Sequence, residues 1–480
     1  MIWWVRVVSG PLAFVVVQLI PMDGLEPRAH VAISCYAWVL TWWASTPIPW
    51  AVTGFLPLLI FPIGGVMGFR ESAALYGQRI LPFVVGVMLV GHAFRKHGLA
   101  QRLAMSVLSI PGVSASGPRL VLMILVVTGI LSTLVDDAAA VAIMIPIALS
   151  VSRFAGRVGA RAEGIGGSGE TPRLQAASCL AVLYGSAAGG MGTPAGVPFN
   201  PLSMSILDQL TPYQISFGQW TLTGLILMAA TIPIYFGVLM WMSPPEVRSI
   251  SNGAEYFSRE KKALGPMSRG EKNVVFVVGV MVVLWFLPAF VTISALDIWY
   301  VPSVGMVLLF LLPIDTRKGE MTLNARDFQD GVLWNVLFLV VSGTALASGL
   351  AGLGVTDWIS GMISPRVSET TLPLIAGFVT PILSHLTSGT ATTSMVSTIL
   401  FPIANDLGYN AAILARIIAG TALAVSVPWA GAAAGTAFAS GSIKFGTMVR
   451  IGVVVSVLTM IVVTVLSVIL VPALEAYTTS

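Results

Sequence analysis

Apolar runs long enough to cross about 30 Å of hydrocarbon recur along the whole chain, most clearly at Trp220 to Met242, Val274 to Val291 and Ile451 to Leu470. Such runs predict an all-α polytopic membrane protein. Composition agrees, because only 10% of the residues are charged and 56% are hydrophobic. A soluble domain of this length would carry about a quarter charged residues to cover its surface. Met1 to Met22 is hydrophobic and no small-residue cleavage site follows it, so it reads as a first membrane helix rather than a removed signal. The expected location is a prokaryotic inner membrane, crossed many times and surrounded by lipid.

The net charge is +4, and its basic residues are grouped, which makes nucleic acid a poor partner. Arg95, Lys96 and Arg102 form one group, and Arg153, Arg157, Arg161 and Arg173 form a second. The stretch Arg248 to Lys272 forms a third, with Arg259, Lys261, Lys262 and Arg269. Short basic loops stay cytoplasmic and orient the helices between them. Pro365 to Thr371 and Asn405 to Asn410 hold Arg366 as their only basic residue and are expected outside. Cys35 and Cys179 lie far apart in apolar surroundings and read as buried free thiols.

Two stretches echo each other. Leu131 to Ala148 reads LSTLVDDAAAVAIMIPIA, and Thr387 to Ala404 reads TSGTATTSMVSTILFPIA. Laid together without gaps, Ser132 matches Ser388 and the triplet Pro146-Ile147-Ala148 matches Pro402-Ile403-Ala404. Each follows an apolar stretch and carries a polar, small-residue break. Interrupted segments at corresponding places in two halves point to a transporter site near the bilayer midplane. Basic Arg119 and Arg153 bracket the first, whereas charge-poor loops bracket the second. The flanks therefore favour an inverted repeat of two re-entrant hairpins over two ordinary spanning helices. The expected division is an N-terminal half, 1–242, with a hairpin near 118–152 and a broken helix near 176–202. A cytoplasmic loop, 243–273, leads to a C-terminal half, 274–480, with a hairpin near 371–405 and a broken helix near 411–441.

The segment GGMGTPAGVPFN, Gly189 to Asn200, cannot continue a helix through Pro194 and Pro198. At membrane depth such backbone survives only inside protein or beside a watery cavity. Unwound carbonyls around Gly192 suit a cation, free amides suit an anion, and Thr193 and Asn200 add side-chain groups. The counterpart VPWAGAAAGTAFASG, Val427 to Gly441, offers mainly backbone, including Gly431, and fits close helix packing equally well. Asp136 and Asp137 are adjacent carboxylates in an apolar run, which costs several kcal/mol unless they are paired, protonated or coordinating a cation. One of them can cap a helix beginning at Ala138; a coupling-ion role for at least one is the expectation. His385, before the second break, reads either as a satisfied helix-end histidine or as a proton-sensitive element.

These motifs resemble the divalent anion/sodium symporter family, which carries dicarboxylates, citrate and sulfate. Thr46 to Pro62, TPIPWAVTGFLPLLIFP, is similar to its early proline-rich helix, and Phe328 to Trp358 to the opening of its second repeat. Gly189 to Asn200 is similar to its broken helix and Ala439 to Gly452 to its closing stretch. The resemblance implies a homodimer of elevator type, with a scaffold and a mobile transport part, driven by sodium or by exchange. In that family both tips carry Ser-Asn-Thr, which binds sodium and substrate carboxylates. Here the first tip reads Asp136-Asp137-Ala138; the second reads Thr392-Thr393-Ser394 aligned on Pro402, or Ser388-Gly389-Thr390 by local likeness. The family's second Thr-Pro-Pro-Asn falls on Gly431 to Ala434 and is absent, and the first survives as Val197, Pro198 and Asn200.

The expected function is cation-coupled transport of a small anion, a dicarboxylate or inorganic oxyanion, with sodium or protons as coupling ion and no other cofactor. Thr193, Asn200, Ser388, Thr390, Thr392, Thr393 and Ser394 are expected to bind substrate. Ser132, Asp136, Asp137, Gly192 and Gly431 are expected to hold the coupling ion, with sodium at the aspartates. The alternative is a cation/proton antiporter that uses the Asp136–Asp137 pair. An intramembrane enzyme is disfavoured, because the four histidines form no metal-ligand spacing.

Overall fold

The computed structural model describes residues 2–110, 112, 115–162, 171–250, 253–289, 291, 297–363, 367–423 and 427–478. The Gly/Ser-rich stretch 164–169 and Arg366 lie outside the described residues. The chain is an all-α membrane protein, relieved among the described residues by one short β-hairpin, Pro313–Asp315 paired with Glu320–Met321. The first helix, Ile2–Leu19, leaves Trp4, Val5 and Leu19 exposed, as a lipid-facing helix would. Cys35 and Cys179 are buried free thiols.

Among the described residues four helices are long and apolar enough to cross a membrane: Phe217–Met242, Trp334–Ala351, Phe445–Ala473 and the stretch Asp137–Arg157. The chain also turns back at two places. Gly117–Ser132 and Thr371–Leu386 have 16 residues each. At 1.5 Å per residue each spans about 24 Å, short of the roughly 30 Å hydrocarbon core. Each is followed after a short turn by a second arm, Asp137–Ala162 in one case and Gly389–Asp406 in the other. These are the two re-entrant hairpins.

One order of elements occurs twice. After the first hairpin comes Pro172–Gly190, a break, Phe199–Leu210 and the long helix Phe217–Met242. After the second comes Ala411–Ala422, a break, Ala432–Ala439 and the long helix Phe445–Thr478. The two long helices meet through Tyr235 and Thr459, whose hydroxyls lie 2.8 Å apart.

Small residues set how closely the hairpin packs. A Cβ at Gly189 would overlap the Gly129 carbonyl oxygen, and one at Gly185 would overlap that of Leu125. Backbone thus lies on backbone where Gly117–Ser132 crosses Pro172–Gly190, the small-residue contact typical of helices in lipid.

The grouped charges of the sequence gather at one end of the molecule. Lys96 Nζ donates to Asp327 Oδ2 at 2.6 Å, and Arg102 Nε donates to Glu271 Oε1 at 2.5 Å. Glu246 accepts from the backbone amides of Arg173 and Leu174 at 2.7 and 2.8 Å, capping the start of Pro172–Gly190. At the opposite end Arg79 pairs with Asp208, and Gln78, Gln209 and Ser348 close a ring of hydrogen bonds.

Candidate functional site

The two hairpin tips and the second break face one cavity of about 720 Å³. Asp136, Asp137 and Ala138 line it from the first tip, and Ser388, Gly389 and Thr390 from the second. Trp429 and Gly431 to Ala434 form a further wall, and Asn335 and Trp50 also line the cavity. Leu333 and Trp429 on the rim are exposed, and Leu333 follows closely on the helix Ala325–Gly331 that carries Asp327. The mouth therefore lies toward the basic end.

Three helix starts meet at this cavity, and they are not alike. At the first tip the aspartates occupy their own helix start: Asp137 Oδ1 accepts from the Ala138 amide at 2.7 Å, and Asp136 Oδ1 from the Ala139 amide at 3.4 Å. At the second, Ser388 accepts from the Ala391 amide at 3.2 Å, and the amides of Gly389 and Thr390 have no protein acceptor among the described residues. The third start, after Gly431, has no side-chain cap among the described residues. Free amides at a helix start carry partial positive charge and receive anions.

Asp136 and Asp137 face the cavity from apolar surroundings, and among the described residues no Lys, Arg or His comes within ion-pair distance of either. Two uncompensated carboxylates side by side demand a cation or protons.

The first break reaches the cavity only at Pro198, beside Phe199; the rest of it lies behind the tip. The Thr193 hydroxyl donates to the Thr133 carbonyl at 2.6 Å, which ties break to tip. Asn200 Nδ2 donates to the carbonyls of Gly190 and Thr193 at 2.7 and 2.8 Å, while its Oδ1 is buried without a partner. Ser132 Oγ donates to the Ser186 carbonyl at 2.9 Å. Gly192 has no room for a side chain, since a Cβ would press on Thr133 Cγ2 at 2.7 Å.

Thr193 and Asn200, expected to line the shared cavity, are placed beside it and not on its wall. The Thr193 hydroxyl and the Asn200 amide nitrogen donate to carbonyls of the break and the first tip, and Asn200 Oδ1 has no partner among the described residues. Thr392, Thr393 and Ser394 lie inside the second arm and not at its tip. The Thr392 hydroxyl sits 2.9 Å from that of Thr387, and Ser394 packs on Gly343. The local reading Ser388-Gly389-Thr390 is the one at the turn. His385 Nδ1 donates to the Pro381 carbonyl at 2.5 Å within its own helix and lines no part of the cavity, as a satisfied helix-end histidine.

Residues 2–474 match the family described as the sodium:sulfate symporter transmembrane region. The chain belongs to this family. The sodium-dependent dicarboxylate transporter SdcS of Staphylococcus saprophyticus is 27% identical, over 98% of this chain and 91% of its own length. SdcS of Staphylococcus aureus strain USA300 is 26% identical, over 96% and 89%. Among solved structures, the MtrF antimetabolite efflux pump of Neisseria gonorrhoeae superposes with a TM-score of 0.56 at 12% identity, covering 95% of this chain and 96% of its own. The YdaH transporter of Alcanivorax borkumensis superposes at 0.53 with 14% identity, covering 84% and 88%. Those two likenesses concern the fold alone. As a family member the chain is an integral membrane protein and a cation-coupled carrier of small anions. The comparisons give no support to the cation/proton antiporter, and the relatives named are transporters rather than enzymes.

Two features went unread in the sequence. Asn335 is the sole amide side chain on the cavity wall among the described residues, and its only signal is a polar residue inside LWNVLF. Arg416 is a fully buried arginine inside the apolar run Ala411–Ala422. A lone charge in such a run was a signal in plain view.

Proposed function

We propose that this chain is a sodium-coupled symporter of small dianions, dicarboxylates foremost, with the site in the cavity between the hairpin tips. The observation that carries the reading is the asymmetry of the three helix starts. Asp136 and Asp137 fill the first and leave negative charge facing the cavity, while the amides of Gly389-Thr390 and Ala432-Ala433 have no acceptor among the described residues. An anion with two carboxylates bridges the two vacant starts; sodium sits on the aspartate oxygens and offsets the repulsion between acid pair and dianion. Ser388, Thr390 and Asn335 add donors for the carboxylates. Sodium as the ion and dicarboxylate as the solute take further support from the SdcS relatives, which are sodium-dependent dicarboxylate transporters.

In this reading the two halves are inverted repeats, the hairpins and broken helices move together against the remaining helices, and two copies form a dimer. The dimer rests on the family likeness alone. The cavity's mouth at the basic end and the pinned opposite end suit a state open to the cytoplasm.

Thermal stability of the purified protein tests the proposal. A four-carbon dicarboxylate should raise the melting temperature in sodium and far less in potassium, and sodium should tighten anion binding by the factor by which anion tightens sodium. Equal stabilisation in both salts would remove sodium coupling; stabilisation by sulfate alone would replace the dicarboxylate.

A further inference from the structure

Arg416 is 1% exposed and sits where the second half of the chain touches the break of the first. Its Nη2 donates to the Met191 carbonyl at 2.5 Å, and its guanidinium lies over the Trp220 ring at 4.6 Å. Nε and Nη1 have no hydrogen-bond partner, and no carboxylate pairs with it among the described residues. A Cβ at Gly224 would overlap Met191 O and Gly192 O and come within 2.6 Å of Arg416 Nη2, so Gly224 is the opening through which charge and break meet.

Burying an arginine charge without a carboxylate in the bilayer costs several kcal/mol. Two things offset it here. The helix Pro172–Gly190 ends at this point, and the C-terminal end of a helix carries partial negative charge on its unpaired carbonyls. The face of Trp220 adds a cation–π attraction. A break rich in carbonyls is also where a carrier of this build would hold a mobile cation.

We propose that Arg416 is a tethered cation: it occupies the carbonyl end of the first break permanently, in place of a coupling ion, and so lowers by one the number of sodium ions the transport cycle needs. The proposal rests on the sodium-coupled reading above. Guanidinium does not give up its proton in proteins, so this charge moves with the carrier in every state. The moving part then presents Asp136, Asp137 and Arg416, and one bound sodium ion suffices to neutralise this set.

The test compares Arg416→Met and Arg416→Lys with the parent, each reconstituted in liposomes, and follows anion uptake against sodium concentration. Arg416→Met should require one additional sodium ion, seen as a sodium dependence steeper by about one Hill unit and a midpoint at least about tenfold higher, on the scale of a lost charge contact. Arg416→Lys should keep the parent's steepness, with a midpoint within about threefold. Arg416→Met with the parent's curve overturns the proposal, as does Arg416→Lys shifted as far as Arg416→Met. If Arg416→Met gives no folded protein, Arg416→Gln replaces it; if every neutral variant fails to fold while Arg416→Lys folds, the charge serves folding rather than coupling and the proposal is wrong. A parent with no sodium dependence would instead refute the coupling reading, whatever the variants do.

Discussion

Asp136 and Ser388 occupy the same structural position, each the residue whose side chain accepts from the amide three places on at the start of its hairpin's second arm. Measured from these caps, Pro146 lies ten residues along its arm and Pro402 fourteen along its own (146 − 136 and 402 − 388). The second arm is longer there by four residues, about one helical turn. Matching the prolines therefore sets Thr392 against Asp136, one turn too deep. The tips correspond through their caps: an acid pair on one side, a serine and two open amides on the other.

Asp137→Asn and Asp136→Ser should each leave the protein folded, since both replacements still cap a helix start, with losses of about 1 kcal/mol or less. Sodium dependence should weaken by about tenfold or more in at least one of them, because a charged ligand is gone. Protons and sodium compete for the same carboxylate oxygens, so parent uptake at limiting sodium should fall as pH falls and recover with excess sodium. Both variants should lose part of that pH dependence. If each keeps the parent's sodium midpoint and pH profile, the aspartates are structural caps only.

Gly189→Val should prevent the first hairpin from seating, because a side chain there enters the Gly129 carbonyl. Gly431→Ala, by contrast, meets nothing within 4 Å, and its backbone is extended with φ 176°, so stability should stay within about 0.5 kcal/mol. Melting temperatures of the two variants in one detergent check the contrast.

Asp327 knits the basic end. Burial alone would raise its pKa, but hydrogen bonds from Lys96 and His92 and from the Asn324 amide outweigh burial and hold the carboxyl below the usual carboxylate range. A carboxyl depressed in the folded state stabilises above its unfolded pKa, and that contribution is lost as pH falls through the folded value. Asp327→Asn should thus cost about 1–3 kcal/mol at neutral pH. The difference from the parent should shrink once the solution is acid enough to protonate Asp327, and melting curves across pH would show it. A difference independent of pH would contradict the assignment.

At the far end, Asp208 and Gln209 sit on Phe199–Leu210, which leaves the first break, and bind Arg79, Gln78 and Ser348 from other elements. If that helix belongs to the moving part, these bonds hold one orientation. Gln209→Leu combined with Asp208→Asn should raise the labelling rate of a cysteine placed at Thr390 by an impermeant thiol reagent added from the side opposite the basic end. An unchanged rate would make the cluster static.

The membrane fold, hairpins and breaks were legible because lipid tolerates polar or irregular backbone only inside protein, so Asp136-Asp137 and Gly189 to Asn200 stand out against apolar runs. The register of the second tip was not. Four extra residues turn a helix through about 400°, only 40° from a full circle, so the apolar pattern hardly changes while the cap moves one turn. That Thr193 and Asn200 brace the break was not legible either, because the sequence carries no record of which carbonyls a break turns inward. Asn200 donates to the Gly190 carbonyl and adds a second donor, beside the Gly196 amide, to the Thr193 carbonyl. Arg416 escaped notice because one charge barely dents the hydropathy of its run.

Uptake of a radiolabelled four-carbon dicarboxylate by proteoliposomes, under an inward sodium gradient and under an equal potassium gradient, decides whether sodium drives dianion transport. Sodium-coupled symport requires accumulation above equilibrium in sodium, collapse of that accumulation in potassium, and competition by unlabelled dicarboxylate. Equal uptake in the two salts, or no accumulation of any small dianion in sodium, would contradict it.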